Sequence, residues 1–231
     1  MQFKVFEFDE VFSTNTLLKE GDYPIGSVAL ARTQTGGKGR GGKSFYSPPC
    51  GIYMSMVVGF ESIFDKLFIP IKAAVSAHDV LSKYTDCKIK WPNDIVAGGK
   101  KLCGILSEGY NDKVIAGVGV NLNTPPKYFA DNSLPYATSL YEQTGKSFDV
   151  KTVAHEILTA YSLQQSKDVI LEKYKENCLT IGRQITVLQG NKKYDATAIG
   201  LTQNGELIIL SDGKKLTLNS GEVSIRGSEY V

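Results

Sequence analysis

Histidine is nearly absent from this 231-residue chain: His78 and His155 are the only two, and Trp91 is the single tryptophan. Four cysteines, at positions 50, 87, 103 and 178, show no CxxC spacing. A zinc-type centre needs a tight set of thiolate and imidazole donors, so that class of site is excluded. The same scarcity removes any Ser/His or Cys/His pairing for covalent catalysis, since both histidines fall on apolar helical faces. Unpaired thiols suit a reducing compartment. A charge of one sign is also missing, because 26 Lys and Arg against 24 Asp and Glu leave a formal +2. Such a balance gives no broad basic face for nucleic acid or an anionic membrane, so any cationic function must be local. No run approaches the roughly 18 apolar residues of a membrane span. The start, MQFKVFEFDE, is too acidic for a secretory signal. The expectation is a cytoplasmic protein with neither membrane nor DNA as a partner.

What is present is 42% hydrophobic residues, enough for one substantial core and a small attached module. SVALAR (27–32), IYMSMVV (52–58), CKIKWP (87–92), KLCGILSE (101–108) and KVIAGVGVNLN (113–123) read as strands. The second places Ile52, Met54, Met56 and Val58 on one face, and the last is apolar enough to be central or to lie near a pairing edge. A 3.6-residue period through Ile71, Ala74, Val75, His78 and Leu81 predicts a helix over 68–84, with Pro70 in its first turn. Asp149 is placed to cap a helix through Val153, Ala154, Ile157 and Tyr161, and another is expected over 169–174. After about residue 180, short alternating runs punctuated by GN, NG and DG predict a small β-barrel. The fold class is α+β, with residues 1–180 as one domain and 181–231 as a second.

The segment TGGKGRGGKSF (35–45) matches two phosphate patterns at once, GxxxxGK[ST] and GxGxxG. Both require a helix to begin directly after the glycines, so that its free N–H groups face the phosphates. Here Pro48, Pro49 and a β-patterned run follow, so neither pattern is expected to be real. The physical content survives: five glycines permit positive φ and close approach, and Lys38, Arg40 and Lys43 add mobile cations. A loop of this kind orders over an anionic ligand and acts as a lid.

Read together, TQTGGKGRGGKSFYSP, KWPND (90–94), KLCGILSE, GVGVNLN (117–123) and the terminal GEVSIRG resemble the biotin protein ligases, also called holocarboxylase synthetases. Nearly the whole chain is covered, in the family's order. The resemblance implies a mixed sheet flanked by helices, of the class II aminoacyl-tRNA synthetase-like type, followed by an SH3-like barrel. It implies ATP and biotin as substrates with Mg2+, formation of biotinyl-5'-AMP, and transfer to a lysine of a biotin carboxyl carrier domain by a monomer or homodimer. Catalytic roles pass to Lys90, Arg40 and Lys38, with Lys90 taken to be exposed at the end of a stiff strand. Biotin contacts pass to Ser13, Thr14, Asn15, Gln34, Gly37, Gly39, Gly117 and Gly119, besides the three cations. Nucleotide contacts pass to Lys38, Arg40, Asn121, Arg226 and Phe45, which stands where the family often has Trp. Ser13 also reads as the N-cap of a short helix ending at Gly21, Trp91 as core, and Asn93 and Asp94 as turn formers. No magnesium ligand is assigned. Since the pattern starts within the first dozen residues, no DNA-binding helix-turn-helix is expected ahead of it. A lipoate protein ligase and a nucleic-acid-binding module are the competing readings. The KWPND run disfavours the first, and the near-neutral charge disfavours the second.

Overall fold

The computed structural model describes residues 2–163, 165–189, 192–219 and 222–225. Its larger sheet has seven strands: β1 (Lys4–Val11), β2 (Ser27–Gln34), β3 (Ile52–Gly59), β4 (Cys87–Lys90), β5 (Asp94–Ala97), β6 (Lys100–Tyr110) and β7 (Lys113–Val120). They lie in the order β1-β2-β3-β7-β6-β5-β4, with β1 and β2 parallel and every other pair antiparallel. The apolar strand β7 is therefore central, paired along its length with β3 and β6, and is not an edge. The edges are β1 and β4.

The two faces of this sheet differ because its side chains alternate. On one face the cross-strand rows Met54–Val118–Ile105 and Ile52–Val120–Cys103 are buried. They form one apolar cluster with helices α2 (Ile63–Leu81), α5 (Val150–Ser162) and α6 (Lys167–Asn177). On the other face a small cluster of Leu18, Ala29, Val57 and Ile115 seats the short helix α1 (Thr14–Glu20). The remaining helices, α3 (Pro126–Asp131) and α4 (Leu140–Thr144), lie in the connection to α5.

Helix ends follow capping chemistry. Ser13 caps α1 by accepting the Thr16 N–H, and Asp149 caps α5 by accepting the Thr152 N–H at 2.8 Å. Helix α2 begins earlier than its periodicity suggests, because Ser62 accepts the Asp65 N–H and caps it. Pro70 consequently sits inside the helix, not in its first turn.

The second sheet is built from β8 (Gln184–Gln189), β9 (Lys192–Leu201), β10 (Leu207–Ser211), β11 (Lys214–Leu218) and β12 (Glu222–Ile225), in the order β11-β10-β9-β8-β12. All pairings are antiparallel; among the described residues β11 and β12 stay unpaired with each other, so the expected barrel is an open sheet by its hydrogen bonds. Asp212 and Gly213, both at positive φ, turn β10 directly into β11 as a two-residue hairpin. The expected GN turn at 190–191 lies outside the described residues. The two sheets share the apolar cluster, and the Trp91 indole donates to the Gly205 carbonyl at 3.1 Å across the junction.

Candidate active site

On the α1 face of the larger sheet, pairing aligns two rows of residues: Tyr53–Gly119–Gly104 and Ser55–Gly117–Leu106. Three glycines thus share one face of two adjacent strands, β6 and β7, which leaves bare backbone as a floor. A cleft opens above them, bordered by Ser13, Thr14 and Asn15 at the start of α1 and by the segment after β2. A side chain on the floor would collide: a Cβ on Gly117 would stand 2.3 Å from the Asn15 Oδ1, and one on Gly119 would stand 2.8 Å from the Phe45 ring.

Residues 34–47 fold back on themselves as a lid. Gln34 bridges Ser47, Lys38 bridges Ser44, and the Phe45 N–H donates to the Gly37 carbonyl at 2.9 Å. The tip is a single tight turn, Arg40–Gly42, in which Gly41 and Gly42 take φ of 62° and 78°. Beyond it the chain is extended and runs into β3; the next helix begins only at Ile63. Neither phosphate-binding pattern has the helix it needs.

The groups that bond one another at the α1 end of the cleft are polar and uncharged. Thr14 donates to the Gln34 Oε1 through its backbone N–H at 2.9 Å, and its hydroxyl lies 2.7 Å from that of Ser55. Ser55 donates to the Asn15 Oδ1 at 2.6 Å, and Gln34 donates to Ser47 at 2.8 Å. These groups offer donors and acceptors to a neutral heterocycle without placing a net charge beside it.

Lys38 rises from the lid toward the α1 end, its Nζ 5.9 Å from the ring of Phe12, which directly precedes Ser13. Two other cations stand toward the opposite end. Arg40 donates to the Asn93 Oδ1 at 3.4 Å, and Asn93 is itself tied to the Ile105 carbonyl at 2.8 Å, so the lid tip is latched to the sheet. Lys101 lies across the bare Gly104, its Nζ 2.7 Å from an Asp94 oxygen and 5.8 Å from the Phe45 ring centre. The arrangement can hold a flat neutral ring at one end and neutralise two anionic groups at the other.

The cleft brings together Ser13, Thr14, Asn15, Gln34, Lys38, Gly39, Arg40, Phe45, Gly117 and Gly119. Gly37 lies within the lid, where a Cβ would meet the Phe45 carbonyl at 2.3 Å. Lys90 is placed differently from the expectation. It closes β4 beside the cis Trp91–Pro92 peptide, is 9% exposed and does not line the cleft. Asn121 is buried and spends its amide on the Thr138 carbonyl at 3.0 Å and the Lys101 carbonyl at 3.4 Å, tethering the chain after β7. Arg226 lies outside the described residues. Lys101 and Ser55 enter the lining without having been singled out. Alternation along β3 from Met54 and Met56 could have placed Ser55 opposite the glycines.

Among the described residues no side chain near the cleft is primed as a nucleophile. Burial pushes the Cys87 thiol up to about 12, and it raises Cys50, Cys103 and Cys178 in the same direction. Burial likewise raises the Tyr53 hydroxyl. Among the described residues no set of three His, Cys, Asp or Glu groups could hold a metal ion. No described helix is long and apolar enough to cross a membrane.

Comparison with known proteins gives a consistent picture. Residues 6–124 match the Biotin/lipoate A/B protein ligase family, and residues 180–226 match the Biotin protein ligase C terminal domain. The bifunctional ligase/repressor BirA of Bacillus subtilis is 28% identical over 210 residues; the match takes in 83% of this chain and 64% of that protein. The biotin--[acetyl-CoA-carboxylase] ligase of Mycobacterium tuberculosis is 26% identical over 212 residues, covering 86% and 78% of the two chains. The solved biotin protein ligase of Aquifex aeolicus, in complex with biotin and ATP, superposes with a TM-score of 0.82 at 32% identity, covering 96% of this chain and 98% of that one.

Proposed function

This chain belongs to the biotin protein ligases of the Biotin/lipoate A/B protein ligase family, and from that premise we propose that it activates biotin with ATP and biotinylates a lysine of a biotin carboxyl carrier domain. The observation that carries the reading is the polarity of the cleft: neutral hydrogen-bonding groups at the α1 end, Arg40 and Lys101 toward the other, under a glycine-rich lid that also carries Lys38. The ureido ring of biotin suits the first end and its carboxylate the second.

The first reaction brings two anions together. A biotin carboxylate oxygen attacks the α-phosphorus of ATP, and the bond to the bridging oxygen breaks to release pyrophosphate. Repulsion and the charge gathering on phosphorus set the barrier, so fixed cations are the main catalytic resource. Lys101 and Arg40 are both held, by Asp94 and Asn93 respectively, and so meet the reactants with little further ordering. Lys38 is exposed and adds charge from the lid. Lys90 pairs with Asp94 across the turn between β4 and β5, the turn that also carries Asn93. Phe45 lies against Gly119 and Gly104, giving an aromatic face for the nucleobase. Mg2+ enters with the triphosphate, since this cation is commonly held by substrate phosphates and one or two carboxylates.

In the second reaction the neutral amine of the carrier lysine attacks the acyl carbon; AMP leaves and the amine loses a proton. The mixed anhydride is sensitive to water, so the latched lid serves as a shield as well as a clamp. The reaction runs in the cytoplasm, where thiols stay reduced. Incubation with ATP, Mg2+, biotin and a biotin carboxyl carrier domain, with lipoate in place of biotin as the control, tests the reading. Biotin-dependent mass gain on the carrier supports it, and modification by lipoate alone refutes it.

A further inference from the structure

The orientation of the Asn15 amide is fully determined by its neighbours. Its Nδ2 donates to the Glu108 Oε2 at 2.9 Å and to the Leu106 carbonyl at 3.4 Å, which uses both of its hydrogens. Its Oδ1 accepts from the buried Ser55 hydroxyl at 2.6 Å and sits directly over Gly117. A carbonyl oxygen accepts two hydrogen bonds, so one lone pair remains for a ligand. Turning the amide over would press that oxygen against a carboxylate and a backbone carbonyl. Only donors facing those two acceptors are tolerated.

Glu108 itself is held from both sides. Lys19, on α1, places its Nζ 3.3 Å from Oε1, and Lys38 adds its charge from the lid. Burial opposes ionisation of the carboxyl, but the Asn15 amide and the two lysines outweigh it and hold its pKa below the usual range. The group is therefore a permanent acceptor at neutral pH. Resting on the biotin reading above, we infer that Glu108 is a positioning residue: it locks the Asn15 amide with its carbonyl toward the cleft, so that this point of the site recognises a ligand N–H and disfavours a ligand carbonyl. Glu108 acts through Asn15.

Two substitutions separate this role from general damage. Glu108→Gln keeps an oxygen that can accept from Asn15, whereas Glu108→Leu removes the acceptor at similar size. In the ligand-free protein the Asn15 side-chain NH2 signals, assigned by their loss in Asn15→Ser, should exchange slowly with water in the parent and in Glu108→Gln. In Glu108→Leu they should exchange at least ~10-fold faster, the equivalent of one lost hydrogen bond. Equal exchange in all three would overturn the lock. In adenylate formation Glu108→Leu should raise the KM for biotin by ~10-fold while the KM for ATP and the melting temperature hold. A parallel rise in both KM values, or Glu108→Gln as damaging as Glu108→Leu, would also overturn it. Failure of the parent protein to turn over biotin at all would refute the proposed substrate, while the exchange result still decides the lock.

Discussion

Gly117→Ala probes the floor of the cleft with a single methyl group. The added carbon would lie 2.3 Å from the Asn15 Oδ1 and 3.3 Å from the Leu106 carbonyl. Ordinary contact needs roughly 3.5 Å, so about 1 Å must be found. Strand β7 cannot supply it, because it is hydrogen-bonded to β3 on one side and β6 on the other. The Asn15 side chain has to swing away, breaking its bonds to Ser55 and Glu108. At about 1 kcal/mol each, stability should fall by ~2 kcal/mol. Biotin would in addition lose the acceptor offered by Asn15, worth roughly fivefold in KM. Gly200→Ala is the control, since a Cβ there meets open space. Chemical denaturation and a biotin titration of adenylate formation measure both effects. A Gly117→Ala protein with parental stability and parental biotin KM would refute the packing argument.

Lys101→Met should slow adenylate formation by ~100-fold or more, because a positioned cation is removed, and should also lower the melting temperature, because Asp94, only 13% exposed, loses this partner. Full activity in Lys101→Met would place the catalytic cation elsewhere. Trp91→Phe removes the buried bond to the Gly205 carbonyl and should cost about 1–3 kcal/mol of stability, read by denaturant midpoint. Iodoacetamide at pH 8 should leave Cys87, Cys103 and Cys178 unmodified in the folded protein, since burial holds all three thiols protonated; peptide mapping reads the result. Burial depresses the His78 pKa, although its ring bonds the Cys87 carbonyl at 3.1 Å. The unfolded chain then binds a proton that the folded one refuses, so stability is lost as pH falls below the unfolded value of about 6.5. His78→Gln should flatten that part of the melting curve.

Elements whose side chains state their own environment were legible from sequence. The continuous apolar runs of β3 and β7, the Asp149 cap and the Asp212–Gly213 hairpin each carry a local signal. Strand β1 carries none: Glu7, Asp9 and Glu10 interrupt its apolar residues because it is an edge with partly solvated faces. The start of α2 was displaced because Pro70 suggests a first turn, whereas Ser62 with Asp65 caps the helix earlier. The lid, the polar end and the glycine floor were legible as motifs. Lys101 was not, because its reach into the cleft depends on the absent side chain of Gly104 and on a register shift between Ile95 and Val96. Lys90 was read as exposed since it precedes a turn, yet Leu179 pairs with Ile89 and covers that edge.

The most direct measurement of the central claim is biotin-dependent exchange of labelled pyrophosphate into ATP, compared between the parent protein and a double variant, Arg40→Gln with Lys101→Met. If cations from the lid and from β6 neutralise the two reacting anions, the parent exchanges label only when biotin is present and the folded double variant loses nearly all of it. Exchange that proceeds without biotin, or that survives the double substitution, would contradict the account.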